Sequence, residues 1–363
     1  MSFSNIVIYI MVGFMLLGGI DRIFGNKLGL GKEFEEGFHA LGPLALGMVG
    51  ITSLAPILGK VLASAVGPVF ELFGADVSMS ASILLPIDTG CYPLAHSMTQ
   101  NSVMADFSSI IVASMLGCTI VFSIPVSLGI IKKEDTKFLA IGTLSGLIAI
   151  PLASMIGGCV MGIPIGTVLI NLIPIILFSL ILTVLLLFLP EATIKGFAVF
   201  AKIVVAIITL GLMLAIFQEL TGITLVEDMT PLSESFAILG SIAVMLAGAY
   251  PFVFVITKVL AKPLGKMGSL LKINETAAGG MLATLANSVP MLMMIKQMDD
   301  RGKTLNFAFA CCAAFTLGDH LGFASSMAPH MIMPMIIAKL SGGIMAVCIA
   351  NVIYNRIYKK AKA

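Results

Sequence analysis

Pro86-Ile87-Asp88-Thr89-Gly90 and Asn287-Ser288-Val289-Pro290 decide how this chain folds. Both stretches sit in the middle of apolar segments, where a plain membrane helix would carry only Leu, Ile and Val. Each joins a helix breaker to a polar side chain that can bind a ligand. Non-helical backbone at membrane depth is tolerated only where protein buries it or where it lines a cavity. Two such breaks at matching places in two halves of a chain point to a transporter's binding site.

The surroundings of these stretches are those of a lipid-embedded protein. Of 363 residues, 58% are hydrophobic and 11% charged, against about 25% charged in a soluble domain. Mean hydropathy is +1.08. Apolar runs such as Ile165 to Leu189 and Ile203 to Phe217 recur along the chain, and about 20 apolar residues span a bilayer. The net charge of +2 comes with no basic stripe, so nucleic acid is not an expected partner. Six cysteines (91, 118, 159, 311, 312 and 348) lie in apolar segments without CxxC spacing and read as buried, reduced thiols. No metal site and no cofactor are implied. The segment from Ile6 to Ile20 follows an uncharged Met-Ser-Phe-Ser-Asn. A secretory signal would have a basic start, so this segment reads as a mature transmembrane helix.

The hydropathy pattern predicts an all-α polytopic membrane protein. Spans are expected at about 5–21, 38–60, 103–131, 138–163, 165–189, 196–219, 235–258, 304–325 and 327–352, with 64–95 and 266–295 as re-entrant, broken hairpins. Basic residues favour cytoplasmic loops. They cluster at Lys132, Lys133 and Lys137, at Lys258, Lys262, Lys266 and Lys272, at Lys296, Arg301 and Lys303, and in the tail at Arg356, Lys359, Lys360 and Lys362. The loop from Glu219 to Ser235 has acidic residues but no Lys or Arg. Hairpins, rather than full crossings, put every basic cluster on one side. The N-terminus is then expected outside and the C-terminus inside.

Sliding the chain by about 198 residues aligns Ile6-Val7-Ile8 with Ile203-Val204-Val205 and Lys60-Val61-Leu62 with Lys258-Val259-Leu260. Leu116-Gly117 falls on Leu317-Gly318 after a small shift. The expectation is an inverted repeat. The first copy is 1–163 with its hairpin at 64–95, and 164–195 is a linking helix. The second copy is 196–363 with its hairpin at 266–295 and a basic tail.

A charge at the bilayer centre costs about 2.5–3.5 kcal/mol on insertion scales, so polar groups there are functional candidates. Asp88 and Asn287 stand at the hairpin tips, Asp319 and His320 in the span 304–325, and Lys339 in the last span. Asp88 and Asp319 suit a cation; Thr89 and Asn287 can hold a hydroxyl or amide by hydrogen bonds. Thr316, Asp319 and Phe323 would share one face of a continuous helix, with Phe323 as an aromatic wall. His320 points about 100° away on such a helix. Lys339 could instead pair with Asp319, and His320 could serve coupling or packing. Glu35, Glu36 and His39 read as a helix entrance near the inner surface. Gly142/Gly146 and Gly158/Gly162 read as close-packing pairs.

Several motifs resemble a known family. Phe34-Glu-Glu-Gly-Phe38, Thr119-Ile-Val-Phe-Ser-Ile-Pro125, Gly248-Ala-Tyr-Pro251 and Ala283-Thr-Leu-Ala-Asn-Ser-Val-Pro-Met291 are four of them. Lys296-Gln-Met-Asp-Asp-Arg-Gly-Lys303 and Leu317-Gly-Asp-His-Leu-Gly-Phe323 complete the set. Together they resemble the ethanolamine permeases of bacterial ethanolamine-utilisation operons, the EutH family. The resemblance implies a multi-pass carrier in the bacterial cytoplasmic membrane, working in the lipid bilayer with ethanolamine as its substrate. It leaves a homo-oligomer open. The residues alone also leave open a carrier of the same architecture for another small solute or cation, and a channel. A membrane-embedded enzyme is disfavoured, because neither an HExxH motif nor a Ser/Lys dyad is present.

Overall fold

The computed structural model describes residues 3–359, except the side chains of 3, 260–267, 358 and 359. Of the expected basic clusters, the side chains of Lys262, Lys266 and Lys359 and all of Lys360 and Lys362 lie outside the described residues. Among those described, the chain is all helix, with no strand. The main helices are α1 (Phe3–Ile23), α2 (Leu30–His39), α3 (Gly50–Glu71), α4 (Cys91–Met98), α5 (Ile124–Ile130), α6 (Thr136–Val160) and α7 (Ile165–Phe188). They continue as α8 (Pro190–Thr221), α9 (Leu232–Leu271), α10 (Glu275–Ala286), α11 (Ser288–Met294), α12 (Asp300–Ala313), α13 (Asp319–Met327) and α14 (Ile332–Lys359). Seven helical stretches among the described residues are long and apolar enough to cross a membrane. A helix satisfies its own backbone polar groups, which is why these apolar segments take that form.

Two helix clusters organise the bundle: α6 packs on α12 and α14, and α1 and α2 pack on α9. Apolar surface alone drives little association between helices in lipid, so small residues let backbones approach. A Cβ on Gly142 would lie 2.4 Å from Phe307 Cβ, and one on Gly146 2.3 Å from Cys311 Cβ, which fixes the α6–α12 contact. Gly158 packs on Val168, but Gly162 does not belong to a packing face. It takes φ +80° in the turn after α6, with open space around it. The cysteines are also not uniformly buried: Cys159 and Cys348 are exposed on the outside of the bundle, and the other four are buried and free.

The basic clusters share one end of the bundle. Lys303 bonds Asp135 at 2.7 Å, Asn274 Nδ2 bonds the Gln297 carbonyl at 2.8 Å, and Arg301 bonds Asn355 at 3.2 Å. These contacts gather the starts of α6, α10 and α12 and the end of α14. At the other end Lys60 reaches Asp228 at 2.7 Å, and Thr99 donates to Asp76 at 2.8 Å across the mouth of the first hairpin. The two hairpins therefore open at opposite ends.

Both expected breaks exist. Leu85 is extended (φ −134°, ψ 142°) before Pro86, as pre-proline sterics require. Gly90 then takes φ 94°, where a Cβ would fall 2.4 Å from Ile51 Cγ2. Asn287 is extended (φ −154°, ψ 137°), and Pro290 follows inside the first turn of α11, where its missing N–H costs nothing. The hairpins are shorter than expected, because α3 runs on to Glu71 and α9 to Leu271.

Three of the nine expected spans are not continuous α-helices. The span 38–60 holds a turn at Ala40 and a π-helix at Ala45–Val49. The span 103–131 widens into π-helix at Phe107–Val112 and Cys118–Ser123, with a turn between. The span 304–325 is cut at 314–318, between α12 and α13, where Phe315 takes φ 62°. That segment runs alongside α10 instead: Phe315 N–H bonds the Thr284 carbonyl and Leu317 N–H the Leu285 carbonyl, each at 2.9 Å. The neighbouring hairpin supplies the hydrogen bonds that the helix forgoes, so no local breaker is needed.

Candidate functional site

Close backbone contact locks the widened span 103–131 and the cut span 304–325 each onto a hairpin tip. A Cβ on Gly117 would lie 2.2 Å from the Leu85 carbonyl oxygen, and one on Gly318 would lie 2.1 Å from that of Ala286. Only glycine fits at either place, so both glycines press directly on the bends that carry the polar residues.

The bends meet around one cavity of about 450 Å³. Asp88 and Thr89 from the first bend, Asn287 from the second and Asp319 from the start of α13 all line it. Three half-helices, α4, α11 and α13, begin at these bends. A helix N-terminus carries partial positive charge from its unpaired N–H groups, which offsets part of the cost of burying a carboxylate there. Asn287 Oδ1 accepts the Val289 N–H at 2.8 Å, capping α11, so its amide nitrogen is the group left to face the cavity. Tyr250 donates its O–H to Asp319 Oδ1 and fixes that carboxylate. Phe122 and Phe315 form an edge-to-face pair, centroids 5.5 Å apart, that walls another side.

Tyr250, Phe122 and Phe315 were not legible as site residues. Gly248-Ala-Tyr-Pro251 stood out as a motif, but nothing in it signals a partner 69 residues away. Glu36 and His39 line the cavity too, 3.5 Å apart, rather than sitting at an entrance near the inner surface. The reason is that α2 lies along α9, with the Gly37 Cβ position 2.4 Å from Ala247 N. This carries the end of α2 to the cavity.

Several expected site residues lie elsewhere, Thr316 and Phe323 because the span 304–325 is cut. Thr316 is fully buried and donates to the Ala313 carbonyl at 2.7 Å. Phe323 does not wall the cavity; it is 1% exposed and packs edge-on to Tyr92, centroids 6.0 Å apart. His320 is fully buried behind Phe315, at 5.2 Å between ring centroids, with neither ring nitrogen hydrogen-bonded among the described residues. Lys339 does not pair with Asp319. Its ammonium donates to the Ser114 carbonyl at 2.7 Å. In an α-helix that carbonyl would take the Cys118 N–H, which here reaches back to Ala113 instead. The widened helix thus provides the buried lysine with its partner.

A second polar cluster lies toward the end where α1 begins. His96 and His330 bond the two oxygens of Asp106 at 3.0 Å and 2.8 Å. The Tyr92 ring leans on His96 at 42°, centroids 4.3 Å apart, and its hydroxyl lies 3.5 Å from the Met327 carbonyl. This run of contacts joins α4 to α13 and to the turn at Pro329–Met331. Among the described residues no group of His, Cys, Asp and Glu has the arrangement of a metal site.

The model of a family described as "Ethanolamine utilisation protein, EutH" matches residues 3–353. A relative from Listeria monocytogenes, named "Probable ethanolamine permease EutH", is 52% identical over all of this chain and 97% of its own length. A protein of the same name from Escherichia coli is 43% identical, over 96% of this chain and 95% of its own. The "Uncharacterized protein YxeR" of Bacillus subtilis is 41% identical over the same shares. No solved structure matches. With its whole length matched and its motifs in place, this chain belongs to the EutH family.

Proposed function

We propose that this protein is a transporter that carries ethanolamine into the cell as its ammonium ion, held between Asp88 and Asp319. The observation that carries this reading is the convergence of two broken hairpin tips on one cavity holding both carboxylates. Relatives named as ethanolamine permeases support the substrate. The ammonium group would bond the carboxylates, and the hydroxyl would bond the Asn287 amide or Thr89. Charge-assisted bonds of this kind are about twice as strong as neutral ones. Phe122, Phe315 and the Tyr250 ring offer the cation aromatic surface. A cavity of about 450 Å³ leaves room for water beside so small a solute, each water taking roughly 30 Å³. The same reading makes the protein a carrier without enzymatic activity.

Transport proceeds by alternating access between the two copies of an inverted repeat, 1–163 and 196–363. Hairpins that open at opposite ends, with Gly117 and Gly318 pressed on equivalent bends, support this reading. The His96–Asp106–His330 cluster and the Tyr92–Phe323 contact act as the gate on the side of α1's start. The shared basic end faces the cytoplasm of a bacterial inner membrane, in keeping with the preference of Lys and Arg for that side. The neutral amine leaks across lipid and the cation does not, so the carrier matters most at low pH and low substrate.

The test is uptake of labelled ethanolamine into proteoliposomes under separately imposed Na⁺ and proton gradients, with a competition panel. Saturable uptake blocked by small primary amino alcohols supports the proposal. Uptake no faster than in empty liposomes at low pH rejects it, as does better competition by amino acids.

A further inference from the structure

A second cavity of about 650 Å³ opens at the basic end of the bundle and shares no lining residue with the central site. The starts of α6 and α8 and the ends of α5 and α7 surround it. Its lower wall is apolar: Leu128, Leu144, Leu186 and Ile194 all contribute. Its rim carries Lys133, Lys137 and Lys195. Glu134 and Glu191 also stand on the rim, but Glu134 is bonded to Lys132 at 3.3 Å. None of the three rim lysines makes an ion pair within 4.0 Å among the described residues. Lys137 lies only over the face of Phe138, at 4.8 Å.

The position of these charges restricts the occupant. They sit where apolar spans end, which is the depth of lipid headgroups. Directly beneath them the groove is lined by leucine and isoleucine, the surface that acyl chains cover. A soluble anion would use the lysines and leave the apolar groove wet. A zwitterionic lipid would fill the groove, but its own ammonium group competes with the lysines for the phosphate and leaves their net charge unbalanced. A basic pocket between transmembrane helices above an apolar groove matches an anionic lipid on both counts.

We propose that this groove is a binding site for one anionic phospholipid, its phosphate held by Lys133, Lys137 and Lys195 and its chains lying along α5 and α7. The site does not depend on what the central cavity carries.

The full chain, purified in detergent and delipidated, is offered phosphatidylglycerol or phosphatidylcholine, followed by native mass spectrometry and thermal melting. The expected result is phosphatidylglycerol retained over phosphatidylcholine, with a higher Tm. Affinity should fall roughly fivefold for each rim lysine changed to Gln. The double change Lys132→Gln/Glu134→Gln alters the neighbouring ion pair without changing the net charge of the rim, and it should retain the lipid as the wild type does. Equal retention of the two lipids would overturn the proposal. So would a triple Lys133→Gln/Lys137→Gln/Lys195→Gln variant that elutes as a single species and holds phosphatidylglycerol normally. Protection by inorganic phosphate equal to that by the lipid would also overturn it, because a free anion would then suffice.

Discussion

Replacing Asp319 by Asn is the sharpest perturbation of the proposed site. Asn keeps the volume, and its amide oxygen can still accept the Tyr250 hydroxyl that now bonds Asp319. The change therefore removes one negative charge and little else. The gross attraction between a carboxylate and an ammonium about 4 Å away is about 4 kcal/mol at an effective dielectric near 20. Stripping water from both groups consumes much of that. The net worth of a hydrogen bond to a charged group is about 1.5–3 kcal/mol. Substrate affinity should then fall roughly 10- to 150-fold. Asp88 lines the same cavity, so Asp88→Asn should cost a similar amount. The assay is initial-rate uptake of labelled ethanolamine into proteoliposomes at matched protein incorporation. KM values within about twofold of wild type for both variants would refute the reasoning, since neither carboxylate would then hold the cation.

Tyr250→Phe removes the donor that positions Asp319. It should raise KM less than Asp319→Asn does, by roughly tenfold, as measured in the same vesicles. Gly318→Ala sets a methyl group 2.1 Å from the Ala286 carbonyl and should destabilise the fold by about 1–3 kcal/mol. Gly166→Ala, with open space around it, should leave the melting temperature unchanged. Lys303 and Asp135 are 13% and 2% exposed, so Asp135→Asn should cost about 1.5 kcal/mol by turning a charge-assisted bond into a weaker one, with Asp300 still 3.9 Å from the ammonium. The double change with Lys303→Met should recover much of the lost melting temperature. Asp106→Ala cuts both histidine links at the proposed gate. With the exposed Cys159 and Cys348 changed to Ser, labelling of Thr89→Cys in the cavity by a membrane-impermeant thiol reagent added on that side should then rise several-fold; unchanged labelling would remove the gate.

Local chemistry made the two hairpin tips legible. Pro86 and Pro290 restrict the backbone and Gly90 frees it for a left-handed turn, and Asp88 and Asn287 at the same points are costly in lipid without a role. The breaks and the positions of Asp88, Thr89, Asn287 and Asp319 on one cavity follow from those features. The cut at 314–318 was not legible, because Ala314-Phe315-Thr316 reads as ordinary apolar helix. What opens it is the strand-like pairing with Thr284 and Leu285, a tertiary contact with no local signature. Thr316 and Phe323 lie off the cavity for that reason, since a continuous helix through 304–325 would put both on the face of Asp319. His320 takes the packing role behind Phe315, and Lys339 finds its partner at the Ser114 carbonyl of the widened span. Glu36 and His39 failed differently. Their helix begins at Leu30 rather than near residue 38, so its end reaches the central cavity, where Glu36 and His39 remain exposed. The Asp106 cluster joins residues 10 and 224 positions apart, beyond the reach of any motif.

A ligand-bound structure measures the central claim directly. Cryo-electron microscopy of the full chain at saturating ethanolamine should show density in the cavity bounded by Asp88, Asn287 and Asp319. Its amine end should lie within hydrogen-bonding distance of at least one carboxylate. Density bound elsewhere, or helices running unbroken through 85–90 and 286–288, would contradict the account.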